Sequence, residues 1–568
     1  MADYDSTSNG RPRRESEAPD PAKLVRRYER GLDRYASVGA RQQRILSFII
    51  PHKSAVMSKR MEGADQSERV WDSTAIQANK LLASSIQGSL MSQAIRWFRL
   101  VLRNQDIMTK QVTDWLEDVI EVMYQALRQS NFYAEASELC LDLGAIGIGC
   151  LFVEERKKSI GQEGFGGFRF QAIGPGRYVI EENHEGRVDV VFRPFDMSAR
   201  NIVDAFGDKS LPDVIRTAMM DRPDKEFEII HAVYPRRVEN PKRKDAEHMR
   251  WASCYFHRAS KQILSEGGFE EFPYMVPRWD KESEGIYGYG PGQIAIFDIL
   301  TLNRTIELAL RAASKAIDPP GLVNSDAVFG SLDITPASVN PVDGPPKDAW
   351  APMESGARFD VSELLERKLE TKIERMFFWD QLQLQGDKLM TATEVERRLE
   401  LMRRVLGPTL GRFESELLSP LLNRCFGLMF RAGVLPPPPE ELSGQDLDIE
   451  YEGPLARSQK ATRLAASDEV MAKIAQVASF APEQAVALLD NFDLDDWIRD
   501  QATIAGLPSE NLADTQQRDQ IRANRAQQQA NALKVQQMQA LAEGAGKVAP
   551  FLGALHEMNA GGPNGKAA

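Results

Sequence analysis

Tyr287-Gly288-Tyr289-Gly290-Pro291-Gly292 opens, and Asp318-Pro319-Pro320-Gly321-Leu322-Val323 closes, the stretch that organises this chain. Between them Ile299, Leu302, Ile306, Leu310, Ala313 and Ile317 recur at alternating spacings of three and four, which predicts one long amphipathic helix from Gln293 to Ile317. Arg304, Leu308, Arg311 and Lys315 fall on its opposite face. Two successive prolines stop it, because neither can continue a helix. A second long helix is expected from Asp360, since Asp360-Val361-Ser362-Glu363 fits a capping box. Its apolar stripe is Leu365, Leu369, Ile373 and Met376, and Glu366, Glu370 and Glu374 form an acidic column beside it. Like charges four apart on a helix repel by a few tenths of a kcal/mol. The column therefore calls for cations from another helix, and Arg304, Arg311 and Lys315 are candidates.

Working outward, residues 318–358 hold seven prolines and predict a compact loop or small β element. Within it Trp350-Ala351-Pro352-Met353 is an apolar cluster, either the core of the insertion or the anchor of a docking surface. After the second helix, Gln381–Met390 is broken at Gly386 and carries Lys388. Helix is expected again from Thr393 to about Phe430, with a kink at Gly407-Pro408. Leu435 and four prolines make a stiff linker. An acidic stretch, Glu440–Glu452, leads into Tyr451-Glu452-Gly453-Pro454-Leu455-Ala456-Arg457-Ser458-Gln459-Lys460 and further helices to about Ile504.

Upstream, residues 1–21 are polar and expected to be a disordered arm. A basic helical stretch follows, from Lys23 to Ile50. Residues 1–60 hold 13 Lys/Arg against 7 Asp/Glu, a local +6. It is either a solvated helix face or a contact for DNA or a partner. Helices are expected at Asp72–Met91 and Thr109–Ser130, continuing over Asn131–Asp142. Gly144, Gly147 and Gly149 invite a phosphate-loop reading, but a helix precedes them and a strand follows, the reverse of the order that aims amides at phosphate. They predict a tight turn into a buried strand. Strand patterns at Phe168–Ile173, Arg177–Glu182, Arg187–Phe195, Glu226–Arg236, Arg250–His257 and Gln262–Leu264, with short helices between, make residues 131–280 mixed α+β with antiparallel hairpins.

Composition narrows the function. The 568 residues are 42% hydrophobic and 27% charged, ordinary for a globular chain, with net charge −12. Such a chain is no general nucleic-acid glue, although a channel that lets a polyanion slide should hold it weakly. Cys140, Cys150, Cys254 and Cys425 are scattered, which argues against a zinc site or disulfide framework and for a reducing compartment. The apolar run Leu143–Val153 is too short for a bilayer, so a soluble, cytoplasm-made protein with no membrane partner is expected. Gly544-Ala545-Gly546-Lys547-Val548 has Val where a P-loop needs Ser or Thr. No catalytic grouping, metal set or cofactor motif is legible, so no enzyme is expected.

The order long helix, Pro-rich insertion, long helix, Gly-broken loop, helix resembles the core of the head-to-tail connecting (portal) proteins of short-tailed bacteriophages, over about residues 22–510. The resemblance is carried by Trp71-Asp72-Ser73-Thr74-Ala75, Tyr287–Gly292, Asp318–Val323, Thr391-Ala392-Thr393-Glu394-Val395, Leu406-Gly407-Pro408 and Pro454-Leu455-Ala456-Arg457 with Gln459-Lys460. It implies an α+β, mainly α fold with portal architecture: a 22–290 wing, stem helices at 291–317 and 359–380, a 318–358 clip, a 381–390 tunnel loop, a 391–434 kinked wing helix and a 435–510 helical crown. Residues 511–568 are a helical extension and mobile tail outside the resemblance. It also implies a homo-oligomeric ring, a dodecamer, at one capsid vertex of the virion. Double-stranded DNA would pass through without sequence specificity, and terminase large subunit, tail adaptor, major capsid protein and scaffolding protein would be partners. The alternative is an internal virion core or scaffold protein, against which the β-rich middle and the insertion argue. In a ring each side chain becomes a circle of identical groups. Lys388 would then face the duplex as a ring of cations, or be an ordinary loop lysine. Arg304, Arg311 and Lys315 would either touch phosphates or pair with Glu366, Glu370 and Glu374 of a neighbouring subunit, and Trp350 and Met353 would be candidates for docking at the clip.

Overall fold

The computed structural model describes residues 19–58, 69–93, 96–102, 109–156, 164–208, 211–236, 248–317, 321–323, 326, 343, 345, 350–352, 359–382, 407, 409–442, 449–451, 468–476, 479, 494–495, 497–498, 501 and 518–537. Two compact units are present: Met1–Gln105, Leu116–Pro438 and Leu442–Ala456 form the first, and Asp106–Trp115, Pro439–Glu441 and Arg457–Ala568 the second.

The first unit opens with α1 (Pro21–Ile49), which starts two residues before the basic stretch because Asp20 accepts from the Ala22 and Lys23 amides and Pro21 is tolerated in a first turn. Helix α2 (Thr74–Leu90), a short strand β1 (Leu100–Leu102), α3 (Lys110–Gln129, in this unit from Leu116 on) and α4 (Phe132–Ile146) follow. Gly147 ends α4 in the left-handed conformation at φ 75°, and the chain turns into β2 (Leu151–Glu155). The glycine-rich string is thus the helix stop and buried-strand entry that its order predicts.

The β region comprises β3 (Phe168–Ala172), β4 (Val179–Glu182), β5 (Val188–Ser198), then α5 (Ala199–Phe206) and α6 (Asp213–Asp221), then β6 (Glu226–Pro235), β7 (Trp251–His257), β8 (Gln262–Phe269) and β9 (Tyr274–Met275). Antiparallel pairing gives a five-stranded sheet, β4-β5-β6-β7-β8, and a three-stranded one, β3-β2-β9. Alternate residues of a strand face opposite sides. On one side Val190, Phe192, Ile230, Ala232, Cys254 and Phe256 receive Leu24, Val25 and Tyr28 of α1. On the other, Phe227, Ile229 and Leu264 meet Ala199, Ile202 and Ile215 of α5 and α6. The basic stretch is therefore a core helix along one stripe, with its cations on the opposite face.

Helix α7 (Pro291–Ile317) ends directly before Asp318. Strands β10 (Gly321–Val323) and β11 (Trp350–Pro352) pair antiparallel, Val323 opposite Trp350, so among the described residues the Pro-rich insertion is closed at its neck by a two-stranded ladder. Helix α8 (Phe359–Met376) begins one residue before the expected capping box. Asp360 therefore falls inside the first turn rather than at the cap. A π-helical turn, Glu414–Leu418, leads into α9 (Ser419–Arg431), and β12 (Ile449–Tyr451) pairs with β1. Gly407 is helical, while Pro408 and residues 452–460 lie outside the described residues.

In the second unit residues 468–476 and 518–537 are helical. Arg518 and Arg522 both pair with Asp495, at 2.9 and 2.6 Å.

Candidate functional site

Helices α7 and α8 carry the candidate surface, and the quoted motifs seat the base of α7. The Tyr287–Gly292 backbone crosses the end of α4 at a distance only glycine allows. A Cβ on Gly288 would stand 1.9 Å from the Gly147 carbonyl oxygen, and one on Gly290 would stand 2.5 Å from the Gly147 nitrogen. The Trp71–Ala75 motif docks on the same helix. Buried Asn303 accepts from the Trp71 amide at 2.7 Å and donates to the Arg69 carbonyl at 2.9 Å. Asp72 accepts from the Thr74 amide and hydroxyl, both at 2.9 Å, setting the start of α2.

Just before this crossing Arg278, 1% exposed, gathers three segments. It pairs with Glu416 of the π-helical turn and with Glu182 of β4, and donates to the Ile286 carbonyl at 3.1 Å and the Gly186 carbonyl at 3.0 Å. Glu416 also accepts from the Arg278 amide at 2.9 Å. Burial works against the guanidinium charge, and the two carboxylates override it, so its pKa is raised. The sequence carries no local sign of this hub, because its members lie far apart along the chain.

Helices α7 and α8 pack on one another. Ile299 and Leu302 are buried on α7, and Leu369 and Ile373 on α8. Lys372 bridges the pair to Asp298 at 2.7 Å. Past Asn303 nothing on α7 is fully buried: Leu308, Leu310 and Ile317 are exposed, the last at 85%, as are Leu364 and Leu365 of α8. On the outer face the stripe anticipated as Arg304, Leu308, Arg311 and Lys315 extends back through Ile294 and Phe297, which is 71% exposed with Arg44 over its ring at 5.9 Å.

Arg304 and Arg311 do not stand alone. Both pair within α7 to Glu307, at 2.7 and 2.6 Å, and the Arg304 hydrogen bond, with both charges, lowers the Glu307 pKa. The spacing Arg304, Glu307, Arg311 (three, then four) was legible in the sequence, and Glu307 is the residue that reading missed. Lys315 is exposed and forms no ion pair among the described residues. Glu366, Glu370 and Glu374 are half-buried on one flank of α8. Among the described residues Glu370 and Glu374 have no cationic partner, and burial, with Asp380 and Glu370, raises the Glu374 pKa. Lys368, Lys372 and Arg375 line the other flank. Trp350 lies in β11, while Met353 and Lys388 lie outside the described residues.

No group of three or more potential metal ligands occurs among the described residues. No described helix is long and apolar enough to cross a membrane. Cys140, Cys150, Cys254 and Cys425 are all buried free thiols.

Comparison with known proteins places the chain in a family. The family described as "Bacteriophage head to tail connecting protein" matches residues 22–512. A "Probable portal protein" of Bordetella phage BPP-1 is 28% identical over 496 residues, covering 85% of this chain and 87% of that one. The "Portal protein" of Salmonella phage epsilon15 is 27% identical over 511 residues, covering 88% and 90%. Among solved structures, a chain of the "Virion of native gene transfer agent (GTA) particle" matches at TM-score 0.30 and 13% identity over 72% of this chain and 98% of that one, a likeness on which no argument is built. With that family matching residues 22–512, which hold both sheets, the seated α7 and the paired α8, the chain belongs to the bacteriophage head to tail connecting proteins and is a phage portal.

Proposed function

We propose that copies of this chain close into a ring, twelve by family resemblance, at one vertex of the capsid. The ring passes double-stranded DNA during packaging, retains it, and releases it through the tail. In this reading the chain has no catalysis of its own: terminase supplies ATP hydrolysis and docks, as the tail adaptor later does, at the insertion closed by β10 and β11. Major capsid protein and scaffolding protein surround the wing. The observation that supports ring closure through the long helices is the exposed stripe Ile294, Phe297, Leu308, Arg311 and Lys315 on α7, set against an acidic flank of α8 whose Glu370 and Glu374 have no cation within the described chain. A neighbouring copy provides both complements at once.

Native mass spectrometry and electron-microscope class averages of the purified protein test the ring, and a charge swap tests the contact. Arg311→Glu alone should impair ring closure, and Arg311→Glu with Glu370→Arg should restore it. Normal rings with Arg311→Glu that package poorly would instead assign the stripe to phosphate contact. A monomer, or an oligomer without a central hole at every protein concentration, would overturn the ring.

A further inference from the structure

We propose that the outer face of α1 is a sequence-blind binding surface for the phosphate backbone of duplex DNA, separate from the α7 stripe proposed to join neighbouring copies. Lys23, Arg26, Arg30, Arg34 and Arg41 share one narrow arc of α1, opposite the stripe that buries Leu24, Tyr28, Tyr35 and Leu46, and all five are exposed. From Lys23 to Arg41 the arc runs about 27 Å at 1.5 Å per residue, close to eight base pairs at about 3.4 Å each. Arg26, Arg30 and Arg34 recur every fourth residue, and among the described residues none of the three forms an ion pair. Two acids border the arc: Glu29, which faces Arg258 at 4.0 Å, and exposed Asp33. Lys23 is 3.8 Å from Asp20, and Arg41 lies against the Gln293 amide.

Two features favour phosphate over an acidic protein segment. No large apolar side chain is exposed on α1, whereas protein interfaces draw most of their affinity from buried aromatic and aliphatic anchors. Between Arg34 and Arg41 the exposed positions are Ala36, Ser37 and Ala40, so nothing bulky holds a rod-like duplex away. Guanidinium groups in a row hold phosphates without reading bases. The net charge of −12 makes this concentration of cations more pointed, because the rest of the chain repels the same ligand. The inference takes from the portal reading only that a duplex is present.

The test is binding of the full-length protein to a fluorescent 30-base-pair duplex of mixed sequence across a salt series. Arg26→Gln/Arg30→Gln/Arg34→Gln should weaken binding at least tenfold at low salt and reduce the slope of log K against log salt by about 2 to 3, at about 0.9 counterions released per phosphate neutralised. The Arg→Lys triple should keep the slope, and Arg304→Gln/Arg311→Gln/Lys315→Gln should leave the α1 contribution in place. Thermal unfolding and electron microscopy of each variant check folding and rings. Wild-type affinity and slope in the Gln triple would overturn the proposal, even where rings form normally and the portal reading stands. Loss of rings in the Gln triple would assign the face to a subunit contact and likewise overturn it. Binding of polyglutamate but not of duplex by the wild type would assign the face to an acidic protein segment, against the proposal.

Discussion

Replacing Arg278 with Met should release the base of α7 without touching α7 itself. The substitution keeps the volume of the stem and deletes a guanidinium that holds Glu416 and Glu182 and two backbone carbonyls. Removing one member of a buried ion pair costs about 3–5 kcal/mol, because the partner is left charged in a poor solvent. Each orphaned carbonyl adds about 1 kcal/mol. Two contacts offset part of this: Lys281 remains 2.8 Å from Glu182, and the residue-278 amide still reaches Glu416. A net cost of about 4 kcal/mol corresponds to roughly three decades in the equilibrium for local opening. A chain of two units does not unfold in one step, so the assay should be local. Amide hydrogen exchange followed by fragment mass spectrometry should show protection falling by about that factor in 278–290 and 414–418, with the far strands β7 and β8 unchanged. Adding Glu416→Gln should recover part of the loss, since the carboxylate that Arg278 neutralised is then gone. Unchanged protection in Arg278→Met, or equal loss in the single and double variants, would refute the ion-pair account.

Two further outcomes follow from the same physics. Gly288→Ala places a Cβ 1.9 Å from the Gly147 carbonyl oxygen and should destabilise the crossing by about 1–3 kcal/mol, read as a lower first thermal transition, whereas Gly174→Ala, with nothing within 4 Å, should change it little. His231 is buried between the Tyr274 hydroxyl at 2.7 Å and the Ser253 hydroxyl at 3.0 Å, and burial, then Arg193, lowers its pKa to about 3. The unfolded chain therefore binds a proton near pH 6.5 that the folded chain refuses, so stability falls as pH drops through that range. Relative to His231→Gln, the wild type should lose about 2 kcal/mol more between pH 7 and pH 5 in urea unfolding, and equal losses would refute it.

The long helices were readable because the apolar stripe of α7 repeats over about five turns and that of α8 over about three, and the ends of α7 are marked by Asp318-Pro319-Pro320 and by the glycines of 287–292. The β region was readable for a similar reason, as in β6, where Ile230 and Ala232 face α1 while Ile229 turns the other way. Local pattern could not show what those glycines are for. Gly288 and Gly290 are required by Gly147, some 140 residues earlier, and that pairing exists only after folding. The π-helical turn at Glu414–Leu418 was invisible for a different reason. One inserted residue shifts helical phase without altering composition, yet it falls in the turn whose Glu416 holds Arg278. The basic residues of α7 lie opposite its apolar stripe, as their spacing predicts, but spacing alone leaves phosphate or Glu366, Glu370 and Glu374 of a neighbouring subunit as their partners, while Arg304 and Arg311 pair with Glu307 of their own helix.

That partial neutralisation changes which force should close the proposed ring. Arg304 and Arg311 are exposed and already share one carboxylate, and surface ion pairs of this kind contribute about 0–1 kcal/mol each. Ile294, Phe297 and Leu308 on the outer stripe are different. Full burial of such side chains contributes about 1.5–3 kcal/mol apiece. Leu310 and Ile317 extend the inner stripe of α7 beyond the point where the chain's own core can cover it, and Leu364 and Leu365 do the same on α8. A helix that outruns its core draws too little from propensity alone to be secure and gains most from a second apolar surface. On these magnitudes the apolar stripe would hold neighbouring copies together in the proposed ring, while the charges would select which face meets which. In that ring Glu370 and Glu374, without a cationic partner among the described residues, would act against the wrong register more than they bind the right one, since a column of carboxylates set beside apolar neighbours is best tolerated where Lys315 or Arg311 of another copy comes within reach.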